Sequence, residues 1–246
     1  MGCAPAQGVA AAAPAFVPTD ISGLALWLDA SDETTLFQGA GVSPVTADGQ
    51  LVRQWNDKSG NARHVSQATA GNRPLYKTGV QNSKSAALFD GTDDYIFNNS
   101  VGPFSQPNTM FFVYKFVATG AGAKNVFSSK TTSETQFYKK GTGEWSVYCG
   151  TAEATFNTAD TSVHYATLVL NGASSSARLN GSAQTLSANP GTQGINAYYL
   201  ACYENASFPV TLFANVYIME VLHYSGALSA GDITSVESYL AAKWGI

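Results

Sequence analysis

An all-β fold is what this sequence predicts: two antiparallel sheets packed face to face, with one helix at the C-terminus. Three observations carry the prediction. Charged residues make up 12% of the 246-residue chain, while aromatics also reach 12% and hydrophobic residues 45%; soluble domains usually hold ~25% charge. Apolar residues alternate with period two in several short runs, as half-buried strands require. Gly and Asn punctuate those runs and supply the turns. A chain of this length buries roughly 70–75% of its unfolded surface, enough for one full core without staples. Sandwiches often reach this size as a single domain.

Residues 1–20 stand apart. They hold seven Ala and three Pro (Pro5, Pro14, Pro18) and no charge before Asp20. Such a segment has little apolar surface to offset its ordering entropy, so it is expected to be an extended arm docked on a neighbouring subunit. The domain proper is expected over 21–246. Leu24, Leu26 and Leu28 alternate with Ala25, Trp27 and Asp29 in the first strand. Residues 86–97 give two β runs broken at Asp90-Gly91-Thr92-Asp93. Residues 109–117 are a nearly continuous apolar run suited to a sandwich core. Residues 164–170 form another strand. Asn180-Gly181 marks a type I′ hairpin, since both positions accept positive φ. Residues 198–203 and 212–224 are the last strands. A helix is expected over about 230–243: Ser229 and Asp232 resemble a capping box, and Ile233, Val236, Leu240 and Trp244 recur at helical spacing.

The three cysteines (Cys3, Cys149, Cys202) are too few for a disulfide framework. Cys149 and Cys202 read as buried thiols, with a bridge between them as the alternative. The N-terminus lacks the basic region and apolar stretch of a secretory signal, the first base being Arg53. Formal net charge is −4, which argues against nucleic acid as a partner, and no run approaches a membrane span. Six bases (Arg53, Lys58, Arg63, Arg73, Lys77, Lys84) cluster against one acid, Asp57, whereas residues 141–242 hold seven acids and one base, Arg178. Solvated loops explain that asymmetry; electrostatic matching between copies is the sharper alternative.

Four segments in order resemble the concanavalin A-like lectin/glucanase superfamily: residues 23–31 (GLALWLDAS), 55–61 (WNDKSGN), 88–95 (LFDGTDDY), and 220–224 (EVLHY) through Leu228 to 239–245 (YLAAKWG). Within it they are similar to the laminin-G-like jelly rolls of bacterial surface proteins and bacteriophage virion proteins. The resemblance covers about residues 21–246 and implies a jelly-roll sandwich of two curved antiparallel sheets. Trp27 and Trp55 are expected to pack in the core, and Asp57 to accept backbone N–H groups in a turn. Some relatives bind Ca2+. Asp90, Asp93 and Asp94 are the candidate ligands here, although no metal is the preferred reading.

Glucanases of that superfamily need carboxylates projecting from one strand face. No two acids here lie at i, i+2, so no catalytic residue is assigned and no enzymatic activity is expected. His64, His164 and His223 lack zinc-ligand spacing, and there is no nucleophile elbow or phosphate loop. Sugar contacts, if made, are expected from aromatics beside amides: Trp145 with Tyr148, and Tyr203 with Asn205.

The expected function is a structural or accessory bacteriophage protein, decorating capsid or tail. Residues 1–20 would join it to other virion proteins in many copies or as a homo-oligomer, and a lectin-like domain would face host glycans. A carbohydrate-binding module of a bacterial cell-surface or secreted protein is the alternative, and a glycan hydrolase the remote one.

Overall fold

Period-two alternation builds two antiparallel sheets. The computed structural model describes residues 16–130, 134–205 and 208–246, with backbone alone at 205, 208 and 209. Among these residues the first sheet has eight strands. Its order is β15 (Ser182–Gln184), β14 (Ser176–Leu179), β13 (Val163–Leu170), β8 (Asn108–Phe116), β19 (Asn215–Tyr224), β6 (Lys84–Asp90) and β5 (Leu75–Gln81). β19 pairs with β8 along one side; on the other it meets β6 with its first half and β1 (Leu24–Asp29) with its second.

The second sheet has nine strands: β12 (Ala154–Thr158), β11 (Glu144–Cys149), β10 (Thr135–Lys139), β9 (Lys124–Ser128), β16 (Tyr198–Leu200), β7 (Ile96–Asn98), β4 (Val65–Ser66), β3 (Gln54–Trp55) and β2 (Leu36–Phe37). A separate hairpin, β17 (Tyr203–Asn205) with β18 (Phe208–Thr211), belongs to neither.

The inward residues make one core. Leu26, Leu28, Phe112, Tyr114, Phe116 and Val216 from the first sheet meet Trp55, Phe127, Phe137, Trp145 and Tyr198 from the second. A polar tie crosses it: His223 receives Tyr198 Oη at 2.7 Å on Nδ1 and contacts Asn108 Oδ1 at 2.9 Å through Nε2. Burial drives the His223 ring down to about 3, so it is neutral in the fold. Trp27 and Trp55 are core residues, as expected. Asp57 holds the turn that follows β3, its Oδ1 accepting the N–H groups of Trp27 and Ser59 and its Oδ2 that of Arg63.

The outer face of the first sheet is also apolar, and α1 (Ala230–Trp244) covers it. Ser229 caps the helix by accepting from the Asp232 N–H, and Gly245 ends it in the left-handed region at φ 69°. Val236, Leu240 and Trp244 pack on Trp27, Phe111, Met219 and Leu222. Beneath the helix lies Glu220, fully buried. Its carboxylate accepts from the indoles of Trp27 (2.8 Å) and Trp244 (2.7 Å), the Tyr239 hydroxyl (2.8 Å) and Lys243 (2.8 Å). Lys243 also pairs with Asp29, which pairs with Lys58.

Several expectations shift. The run 198–203 is two strands, because the chain turns out of the sheet at Ala201 (φ 63°), and β19 starts only after Leu212 (φ 53°) has turned it back. Cys149 and Cys202 are separate buried thiols. Much of the basic stretch is used internally: Arg63 donates to the Ala25 carbonyl, Arg73 to those of Gln67 and Ala68, and Lys58 and Lys77 pair with acids. Residues 1–15 of the expected arm lie outside the described residues. Its last part packs on this chain's own body, with Phe16 edge-on to Tyr239 and the Pro18 carbonyl accepting from the Tyr224 hydroxyl.

Candidate functional site

Among the described residues, the β17–β18 hairpin is what lies on the outer face of the second sheet. Along β10 the alternation that sends Phe137 into the core sends Gln136 and Tyr138 outward. On β11 it sends Trp145 and Val147 in and Tyr148 out. Gln136 lies directly opposite Tyr148, and Tyr138 opposite Ser146 on one side and Asn125 on the other. The hairpin supplies a wall with Tyr203, and Leu212 follows it. Together with Ala123, Glu134 and Glu153 these residues line a groove of about 270 Å3.

The groove's polar groups are ordered by one another. The Tyr138 hydroxyl donates to Glu153 Oε1 at 2.5 Å, and Lys140 pairs with Glu153 Oε2 at 2.9 Å. These two contacts hold the Glu153 carboxyl below its ordinary value. Partial burial, and then Glu153, push the Tyr138 phenol well above its own. The Tyr203 hydroxyl donates to Glu134 Oε1, which also accepts from Gln136 Nε2 at 3.1 Å. Gln136 Oε1 accepts in turn from Asn125 Nδ2 at 3.2 Å. The Leu212 side chain is 38% exposed although its backbone sits in the left-handed region, which disfavours side chains. The Asn125 N–H bonds its carbonyl at 3.0 Å. Sheet and wall are thus fixed to each other, and the groove presents the partly exposed rings of Tyr148 and Tyr203 and two carboxylates over a floor of buried Tyr138 and Gln136.

The structure places the sequence candidates differently from their expected pairs. Tyr148 and Tyr203 come from distant parts of the chain and line one groove. Trp145 is the correction. It is fully buried between the sheets against Tyr114, Phe116 and Phe137, because positions three apart on a strand face opposite ways. Asn205 lies in β17, and its side chain is outside the described residues. Glu134, Gln136 and Tyr138 were missed, although polar residues at i, i+2 and i+4 around an inward Phe137 are a legible one-face signal.

Asp90, Asp93 and Asp94 do converge, with one oxygen from each within 4.8 Å of the others. Asp90 Oδ1 accepts the N–H groups of Thr92 and Asp93, and Asp94 Oδ2 that of Asp90. Gly91 makes the turn possible: its φ is +79°, and a Cβ there would stand 2.8 Å from the Asn215 nitrogen. Burial first, then the Asp90 and Asp93 charges, raise the Asp94 carboxyl to about 7. Three carboxylate oxygens suit a hard cation such as Ca2+.

No protein-family model matches the sequence, and no curated protein matches it. Solved structures do. Domain 4 of AbnA, a GH43 extracellular arabinanase from Geobacillus stearothermophilus, in complex with arabinotriose, superposes with a TM-score of 0.60 at 14% identity, over 87% of this chain and 98% of that one. Trypanosoma rangeli sialidase in complex with sialic acid superposes with a TM-score of 0.58 at 11% identity, over 91% of this chain. The chain spans about one third of the sialidase's length, 33%. The binding domain of botulinum neurotoxin DC, in complex with rat synaptotagmin II, gives 0.59 at 11% identity, over 90% of this chain and 52% of that one. Such identities show the fold alone, an antiparallel two-sheet sandwich.

These structures correct the expectation that the chain is not an enzyme. Sialidase and arabinanase are enzymes, so this architecture is no ground for setting enzymatic chemistry aside. Missing i, i+2 acids exclude a carboxylate pair only along a single strand. Here Glu134 and Glu153 reach one groove from either side of the β10–β11 pair.

Proposed function

We propose that this chain is a carbohydrate-binding domain and that the groove between β10, β11 and the β17–β18 hairpin is its sugar site. One observation carries the reading: tyrosine rings from two separate segments, Tyr138 and Tyr148 on the sheet and Tyr203 on the wall, converge beside Gln136 and two carboxylates. Rings stack on the C–H faces of sugars, and amide and carboxylate groups bond the hydroxyls. Support comes from the similar structure of an arabinanase domain in complex with arabinotriose, which this chain matches over nearly that whole domain.

Titration of oligosaccharides against the full chain, by calorimetry or by NMR, tests it. A ligand should be found whose affinity falls at least tenfold in Tyr148→Ala while the melting curve stays in place. Absence of binding to every member of a broad glycan panel at millimolar concentration would overturn the reading. The finer reading is a capsid- or tail-associated bacteriophage protein, held in many copies through residues 1–20. It rests on the composition of that segment, and incorporation of a truncated chain lacking residues 1–20 would count against it.

A further inference from the structure

Resting on the reading of the groove as a glycan site, we propose that it selects uncharged sugars and rejects acidic ones, those bearing carboxylate or sulfate groups. The argument is a donor and acceptor count. Glu134 and Glu153 are acceptors only, and both line the groove. The donors beside them are committed: the Tyr203 hydroxyl to Glu134, the Tyr138 hydroxyl to Glu153, and one Gln136 N–H to Glu134. The Tyr148 hydroxyl makes no hydrogen bond among the described residues; it and the second Gln136 N–H are the donors left over, and both are neutral. No Lys or Arg lines the groove among those residues. Lys140 pairs with Glu153, and Lys139 donates to the carbonyls of Gly120 and Gly122. The flanking segments 131–133 and 205–209 contain no charged residue.

An incoming carboxylate would meet two like charges and only two neutral donors, with no cation among the described lining residues to answer it. It would give up its hydration without replacement, which is how a site rejects a close analogue strongly. A sugar hydroxyl can donate to either glutamate while its ring lies on a tyrosine. The same field would favour an amino sugar over its acidic counterpart. Recognition of an acidic sugar generally uses the forked donor set of arginine, and this groove has none.

The experiment compares matched pairs, galactose with galacturonate oligosaccharides and glucose with glucuronate oligosaccharides, titrated into the full chain at low and high salt. The neutral member should bind at least tenfold more tightly at low salt. The gap should narrow as salt screens the acidic member's repulsion, and again in the double variant Glu134→Gln, Glu153→Gln. Should that variant unfold, the salt series on the native chain carries the test alone. Equal or tighter binding of the acidic members overturns this inference and leaves the glycan site standing. Binding of neither member of any pair, nor of any other sugar, overturns the glycan reading and this inference with it.

Discussion

The two outer faces of the sandwich treat their polar groups in opposite ways. On the first sheet, α1 seals Glu220 from water, and the charges packed with it, Lys243 and Asp29, find their partners inside the protein. On the second sheet, Glu134 and Glu153 stand at the edge of a groove, bonded on one side and open on the other. A covered charge fastens elements together, and removing it strands its partners. A charge at a groove keeps lone pairs for a ligand, and removing it barely touches the fold. The same alternation of residues produces both faces; what differs is whether a helix or only a hairpin lies on top.

The strongest attack on this contrast is aimed at the sealed face. Trp244→Ala or Glu220→Ala should each destabilise the fold by about 3–5 kcal/mol, the first by opening a cavity and the second by leaving two indoles and the Tyr239 hydroxyl without their acceptor and Lys243 paired with Asp29 alone. Thermal melting should then fall by on the order of 10 °C. An unchanged melt would mean that α1 is not bound as described.

Next is acid, which probes the seam between the sheets. Buried His223 refuses a proton until about pH 3, whereas an unfolded histidine takes one up near 6.5. The unfolded state therefore binds more protons between those values, and stability is lost as pH falls from about 6.5 to about 3, by at most ~5 kcal/mol. His223→Gln should flatten that slope in denaturant titrations.

Asp94 works with the opposite sign. Its folded carboxyl keeps a proton up to about 7, while an unfolded aspartate releases it near 3.9. Stability from this group is present below about pH 4 and is lost as pH rises through 7. Asp94→Asn should stabilise the protein by roughly 1–2 kcal/mol at neutral pH, since exposed Asp90 and Asp93 are screened by solvent. Added Ca2+ should raise the native melting temperature if the three acids hold it, and should lose that effect in this variant.

Smallest of all should be the stability change at the open face. Tyr148→Ala is expected to move stability by less than about 0.5 kcal/mol, since one side of its ring already faces solvent. A large loss would erase the contrast between the faces.

Long periodic segments made the first sheet legible. The runs at 109–117 and 164–170, the Asn180-Gly181 turn and the Ser229-capped helix each carry enough residues or a specific enough turn to be read locally. β2, β3 and β4 are two residues long, too short for period two to register, so that edge of the second sheet was invisible, whereas β7 and β16 were read only as parts of the runs 86–97 and 198–203. The site was harder still. Tyr148 and Tyr203 were legible as aromatics but not as neighbours, because their meeting depends on a hairpin leaving the sheet at Ala201. Trp145 could have been separated from Tyr148 by counting faces. The missing i, i+2 acids argued against a carboxylate pair on one strand, but could say nothing about Glu134 and Glu153 assembled across two.

That hairpin has a consequence for how such a domain diversifies. The chain departs at Ala201 and returns at Ala214, where the Ala214 N–H bonds the Ala201 carbonyl at 2.9 Å. The two ends are stitched together at the sheet, so whatever lies between them is a closed loop whose length costs little, each doubling adding only ~0.6 kcal/mol of closure entropy. The registers of β16 and β19 are set outside it. The wall of the groove is therefore an exchangeable cassette: its residues can be lengthened, shortened or replaced to suit a different ligand while the sandwich beneath keeps every strand in place.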